Sequence, residues 1–404
     1  MGLTRYLQWV ALGCLLLAFA GGTIRAQSSA SWNEGPVQLH GFFTQGYALS
    51  NQNNYLTMDT SKGTFQMTDG GLNLSWKINS KLRVGVQVYD RYIGELGKGQ
   101  VTLDWALVDY HFRDWLGFRA GKVKTPQGLF NDSQDQEFLY TWALLPQSVY
   151  PLDLRETGNA HVGGDVYGSV GLKRAGVLSY QAYAGKVPSD YRNGFYYGLQ
   201  DAGYRNVTYD VKTTGADVHW NTPVSGLMAG VSQSFSQRDS RGMLPGIPFV
   251  VTAKTYLERA TAVYAEFNRG RWRVNGEWRA TKSATEIFGL PPSFSRNGVT
   301  THPWFTALSF RVSRYVEVGA YHSQFRFTSL FAVPGVADAG GGSIDDTTLT
   351  VRLDPTSYWN FKIEGHFIDG VGNQLTSRGF YLRDNPQGLK PTTNLLVLRT
   401  GFNF

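Results

Sequence analysis

The chain has 404 residues, with 38 Lys or Arg against 31 Asp or Glu, and its net charge of +7 contains no basic run of the kind that engages nucleic acid. Cys14 is the only cysteine, so disulfides and thiolate chemistry are excluded beyond the first residues. Aromatic residues make up 14 %, Gly occupies 47 positions and mean hydropathy is slightly negative, a mixture suited to strands that are apolar on one side only.

The chain opens with Arg5, an apolar run from Leu7 to Ala20 and small residues up to Ala26-Gln27, the order of a secretory signal. The run is about 14 residues, short of the ~20 that a helix needs to cross a bilayer. Residues 1–26 are therefore read as a signal peptide, 27–36 as a short periplasmic segment and 37–404 as the folded body. No later stretch approaches ~18 uninterrupted apolar residues, so helical spans are excluded and a closed β-barrel is the remaining way through a membrane.

Period-two runs bounded by turn residues give about 16 strands and little helical periodicity. Tight turns follow Ile78, Phe112, Leu172, Asn221, Phe267, Val312 and Asp354. Longer polar or Gly-rich loops lie near 50–63, 93–99, 124–161, 186–208, 238–252, 283–301, 328–345 and 370–391. Seven short and eight long connections make an even number of strands with both chain ends on the short-turn side. This predicts an all-β, sixteen-stranded antiparallel transmembrane barrel with short periplasmic turns and long outer loops.

The strand faces agree. Trp272, Val274, Trp278 and Ala280 alternate with Arg273, Asn275, Glu277 and Arg279, and Phe361, Ile363 and Phe367 alternate with Lys362, Glu364 and His366. Val84, Val86 and Val88 likewise oppose Arg83, Gln87 and Tyr89. Apolar sides suit lipid and charged sides a wet lumen, since a charge facing lipid near mid-membrane costs ~2–4 kcal/mol. Between Val101 and Phe112 the pattern breaks, with Asp104 and Asp109 on opposite faces, and a bulge is expected there. Trp76, Trp105, Trp115, Trp220 and Trp272 lie near inferred strand ends, where an aromatic girdle would sit.

In the last strand, Leu396, Leu398, Thr400, Phe402 and Phe404 share one face, while Val397, Arg399, Gly401 and Asn403 share the other. An aromatic terminus preceded by Phe402 resembles the insertion signal of Gram-negative outer-membrane barrels. The resemblance implies an outer-membrane location and capture of Phe402 and Phe404 by the barrel-assembly machinery.

The longest connection, Lys124 to His161, is the third outer loop. Gly121-Lys122-Val123-Lys124-Thr125-Pro126-Gln127-Gly128 at its root, with Leu145-Pro146-Gln147 and Gly163-Gly164-Asp165 beyond, resembles the porin family that includes the phosphate-selective porins. The match covers roughly residues 100–172. It implies a homotrimeric outer-membrane channel, set among lipid and lipopolysaccharide, whose third loop folds inward to narrow the pore. Phosphate-selective members carry an arginine ladder that does not align with this chain, so that selectivity is not carried over.

The candidate pore and constriction residues are Arg83, Arg119, Lys124, Arg273, Arg279, Arg352, Lys362 and Arg399, facing Asp132, Asp135, Glu137, Glu277 and Glu364. Wall cations opposed to loop carboxylates make a transverse field that favours small hydrophilic solutes over apolar ones. Asp132, Asp135, Glu137, Asp153, Arg155 and Glu156 could equally tether the loop. The expected function is passive diffusion with an anion preference. The alternatives are a specific channel for sugars or organic anions, using Phe130, Phe138, Tyr140, Trp142 and Tyr150 as an aromatic track, or an outer-membrane hydrolase. Tyr191, Phe195, Tyr196, Tyr197 and Tyr204 of the fourth loop could form a contact surface. The seven His are scattered, with no His-Glu-x-x-His or Gly-x-Ser-x-Gly, so no catalytic residue, metal site or cofactor is expected.

Overall fold

Alternating apolar and polar residues assemble into one continuous antiparallel sheet. The computed structural model describes residues 35–289, 296–329, 341–372 and 378–404. The signal reading at 1–26 and most of the 27–36 segment lie outside the described residues. The first strands are β1 (Val37–Ser50), β2 (Thr64–Lys77), β3 (Leu82–Ile93), β4 (Thr102–Arg113) and β5 (Leu116–Lys124). They lead into β6 (Ala160–Gly171), β7 (Val177–Val187), β8 (Arg205–Asn221), β9 (Leu227–Met243), β10 (Val250–Arg269) and β11 (Trp272–Phe288). The series ends with β12 (Arg296–Thr301), β13 (Trp304–Arg311), β14 (Val316–Ser329), β15 (Gly341–Leu353), β16 (Trp359–Asp369) and β17 (Thr392–Asn403).

β17 returns to pair with β1, which closes the sheet and leaves no free edge. Segments β12 and β13 both pair with β11 and β14, so they are two pieces of one crossing, interrupted at His302-Pro303. Proline has no N–H for the ladder, although the Pro303 carbonyl still accepts from Arg279 N at 2.8 Å. The seventeen segments among the described residues are therefore sixteen crossings, as the loop pattern predicts. All seven tight turns fall where they were read.

The faces sort as predicted. Trp272, Val274 and Trp278 lie on the exposed exterior, while Asn275 and Glu277 are buried inside. The break in β4 is a bulge: Gln87 opposes Trp105 and Val88 opposes Leu103, so Asp104 is the extra residue. It allows Asp104 and Asp109 both to be buried on the inner side. Wall height is uneven, because β8 to β11 run 17–20 residues whereas β3 to β7 run 9–12.

At the seam, Phe404 N donates to Gly41 O at 2.9 Å and Gly41 N to Phe404 O at 3.0 Å. The terminal ring occupies the space that a side chain at residue 41 would need, since a Cβ there would lie 2.5 Å from Phe404 Cζ. Phe402 stacks on Trp359 with ring centroids 5.5 Å apart, fixing the neighbouring outward position.

The main apolar cluster sits inside the barrel at its long-loop end. Tyr55, Leu56 and Met58 of the first loop, Leu144 of the third and Phe380 of the last pack against Met67, Phe325, Ile344 and Val397 of the wall. Above it, the fourth loop holds a short helix, α1 (Gly194–Asp201), which periodicity does not reveal because eight residues make barely two turns. Asn193 caps it, its Oδ1 accepting from Tyr196 N at 2.9 Å. Tyr197 packs edge-on against Tyr381 at 4.8 Å and donates to Asp384 at 2.6 Å. That side chain is therefore turned onto the last loop rather than onto a free contact surface.

Candidate functional site: the third loop and the lumen wall

The third loop leaves β5 at Lys124 and crosses the interior. At its root, Lys124 Nζ lies 2.6 Å from Asp104 and 2.8 Å from Asp135, and Arg155 Nη2 donates to the same Asp104 at 2.8 Å. Gln87 donates to both carboxylates, at 2.9 Å to Asp104 and 2.5 Å to Asp135. This knot joins β3, β4 and both ends of the loop, and it needs the bulge to present Asp104 inward. Further out, Arg91 pairs with Glu156 and donates to Leu152 O at 2.7 Å.

The Pro-x-Gly at the loop root has a geometric cause. Gly128 has φ +69°, and a Cβ on it would lie 2.3 Å from Glu277 Oε1. Only glycine lets the backbone pass this close to the β11 carboxylate. Gly128 N then donates to Ser232 Oγ at 3.0 Å, Leu129 N to Glu277 at 3.0 Å, and Tyr150 OH to the same carboxylate. Phe130, Tyr140 and Tyr150 form a cluster with Phe305 of β13, and Trp142 packs on Tyr321 of β14. These rings are the packed interior of the loop, and the aromatic-track reading finds four of its five side chains buried.

Beyond this cluster the loop is tied to the far wall by charge. Lys362 pairs with the Glu137 carboxylate and donates to Glu137 O at 2.9 Å and Trp142 O at 2.8 Å. Glu364 accepts from Ala143 N and Leu144 N, both at 2.8 Å, and from Thr350 Oγ1 at 2.6 Å. Arg399 donates to Ala143 O at 2.7 Å and to Asp69 at 2.5 Å. Arg352 donates to Tyr140 O at 2.6 Å. Buried ions are tolerable here because each has a partner of opposite charge or several dipoles aimed at it.

The thirteen candidate residues thus separate into two groups. Asp135, Glu137, Glu277, Lys362, Glu364 and Arg399 are buried beneath the loop, and Lys124, Arg279 and Arg352 are largely covered. These nine are loop ties, with little solvent around them. Arg83, Arg119, Asp132 and Arg273 are the ones solvent reaches. Arg83 pairs with Asp109 at 2.6 Å and Arg119 with Asp165 at 3.0 Å, yet about a fifth of each side chain stays accessible, 21 % and 22 %. Arg273 donates to Leu139 O at 3.4 Å and has no carboxylate at ion-pair distance among the described residues.

Asp132 is exposed to the lumen at the loop edge. Enclosure by the walls pushes its carboxyl above the ordinary Asp range, against the pull of Lys124 and Arg119. Because solvent reaches the group, the rise is smaller than it would be for a sealed carboxylate.

Asp69, Asp109 and Asp165 also belong to the site, although in the sequence Asp109 stands out only as a pattern break, Asp165 only within a motif and Asp69 not at all. Their signal is weak: each is an inward-parity acid on a strand whose neighbour carries an inward cation. Among the described residues, no group of three or more His, Cys, Asp or Glu could hold a metal ion.

No protein-family model matches the chain, and no curated protein matches it by sequence. Solved structures do match. A trimer form of OmpT, an outer membrane protein of Vibrio cholerae, aligns with TM-score 0.57 at 11 % identity over 91 % of this chain and 99 % of that one. An anion-selective porin from Comamonas acidovorans aligns with TM-score 0.53 at 12 % identity, covering 91 % and 99 %. The outer membrane channel DcaP of Acinetobacter baumannii aligns with TM-score 0.54 at 10 % identity, covering 91 % and 97 %. The chain is similar to all three in fold: a closed sixteen-stranded barrel of the outer-membrane porin type.

Proposed function

We infer that the chain is an outer-membrane porin, a water-filled channel for passive diffusion of small hydrophilic solutes or ions, and that it acts by passage rather than catalysis. The observation that carries this is the third loop tied across the interior, with accessible arginines left at its margin. The loop reduces the cross-section, and its ties hold that reduction constant without a moving part. The solutes that pass meet Arg83, Arg119 and Arg273 on the wall and Asp132 on the loop.

The accessible wall groups are mainly cationic, so the passage prefers anions. Two of the three wall arginines are paired with an acid, which lowers their net field, so the preference is weak to moderate. The assembly proposed is a homotrimer, in keeping with the trimer form of the Vibrio protein, and size measurement by light scattering in detergent tests it separately.

Purified protein in planar bilayers tests the channel itself. Stepwise conductance is expected, with a reversal potential in a KCl gradient on the anion-preferring side. Arg273→Glu is expected to move that potential toward cation preference, because it reverses an accessible charge that has no carboxylate at ion-pair distance among the described residues. Absence of stepwise conductance would reject the channel. An unchanged potential in Arg273→Glu would reject that residue as a selectivity determinant.

A further inference from the structure

Arg273 of β11 and Glu266 of β10 are half-buried lumen charges of opposite sign, and neither has an ionic partner among the described residues. The acid within electrostatic reach of Arg273, Glu317 of β14, is already engaged: Arg311 pairs with it, and Thr141 and Ser309 donate to it at 2.6 and 2.7 Å. Glu266 stands two positions beyond Tyr264, whose hydroxyl donates to the inward Asp217 at 2.6 Å, so it shares the inner face of β10. Glu266 itself makes no hydrogen bond among the described residues.

The ladder sets Glu266 opposite Asn275 and Arg273 opposite Asn268. The two charges are therefore diagonal neighbours on adjacent strands, with Cα atoms ~7–8 Å apart. An acid and a base at that spacing can close on each other. Here they do not, because Arg273 turns toward the third loop and donates to Leu139 O at 3.4 Å. Asn275 lies beside the gap that this leaves. It is buried, and its Oδ1 has no hydrogen-bond partner, which costs free energy until something brings a donor. The third loop bounds the gap on its other side, where Tyr140 lies within electrostatic reach of Glu266.

We propose that Glu266, Asn275 and Arg273 form a two-pole subsite for a zwitterionic solute of the α-amino-acid class. The solute carboxylate meets Arg273, and its ammonium meets Glu266 and donates to Asn275 Oδ1. One small molecule thus supplies the partner that each of the three side chains lacks. A singly charged ion gains contact at one pole only, and a neutral molecule at neither. The subsite rests on the reading of the lumen as a passage and adds a solute class to it.

Liposome swelling tests the subsite with L-alanine and lactamide, which match in size while only alanine is a zwitterion at neutral pH. In wild type, alanine is expected to enter about threefold faster than lactamide, the equivalent of one exposed charge contact. Glu266→Gln and Arg273→Gln should each bring the ratio close to one while lactamide enters at the wild-type rate, whereas a merely structural role would change lactamide entry as well. Arg269→Gln, on the outer face of β10, should leave the ratio unchanged. The exchanged pair Glu266→Arg/Arg273→Glu should recover part of the preference, since a zwitterion fits the reversed poles turned around. Equal rates for the two solutes in wild type would overturn the proposal, as would a preference that survives both single substitutions. Loss of lactamide entry together with absence of stepwise conductance in wild type would reject the channel itself, and the subsite with it.

Discussion

The barrel interior has two sectors that share one alternation code and use it differently. In the sector of β14 to β17 with β1 to β3, inward charges such as Lys362, Glu364 and Arg399 are buried under loop backbone. In the sector of β5 to β11, Arg119, Arg238 and His219 keep a fifth to a third or more of their side chains open to solvent. An inward charge on a barrel strand is therefore no evidence of a wet surface until the path of the loop is known. In the first sector most inward charges hold the loop, although Arg83 of β3 stays accessible; in the second, Glu277 of β11 also holds it, while Arg119, Arg238 and His219 remain open to solvent.

The sharpest way to break this contrast is to remove a tie from the sealed sector. Lys362→Met leaves the Glu137 carboxylate buried without its cation, and breaking such a pair costs about 3–5 kcal/mol. The expected result is a loop that detaches locally, seen as larger and noisier single-channel conductance and as faster hydrogen exchange across residues 137–144. Conductance identical to wild type would mean that the sealed charges do not hold the constriction. A smaller effect is expected from acidity. Since enclosure raises the Asp132 carboxyl above the ordinary Asp range, it loses its negative charge at a higher pH than an ordinary Asp as the solution is acidified. Anion preference should therefore grow on acidification, and Asp132→Asn should show the acid-side preference already at neutral pH. A reversal potential that moves identically with pH in wild type and Asp132→Asn would assign the titration elsewhere. The smallest effect concerns the fourth loop: Asn193→Ala removes the cap of α1 at a cost of about 1 kcal/mol. Hydrogen exchange should quicken over residues 194–201, with conductance unchanged.

Much of the fold was legible from the sequence because a membrane barrel repeats one local rule. Alternation at Trp272 to Ala280 and at Phe361 to Phe367 fixes which side faces lipid, and turn residues at Asn268-Arg269-Gly270 mark where the chain reverses. Even the bulge was readable, since Asp104 and Asp109 cannot share a face without an extra residue between them. The division of Pro303's strand into two pieces was not read, nor was the eight-residue helix. The site was less legible for a different reason. That Arg155 meets Asp104, or that Glu364 receives Ala143 N and Leu144 N, depends on the course of a loop whose contacts lie far away in sequence. Residue type alone named Lys362 and Arg399 as lumen charges. Whether water or backbone reaches them is decided by tertiary packing.

The meeting of Phe404 with Gly41 has a consequence for the kinetics of assembly. The contact that completes the cylinder joins the first strand to the last, so Gly41 and Phe404 meet across a far greater sequence separation than any other pair of neighbouring strands in the sheet. Every other pairing links consecutive strands and can form early and locally. Closure alone must wait for the other fifteen crossings and brings together strands at opposite ends of the sheet. Until then the open sheet exposes two edges, and a vacant glycine stands where the final ring will fit. Enlarging Gly41 would thus be expected to slow maturation of the barrel far more than it loosens the finished one.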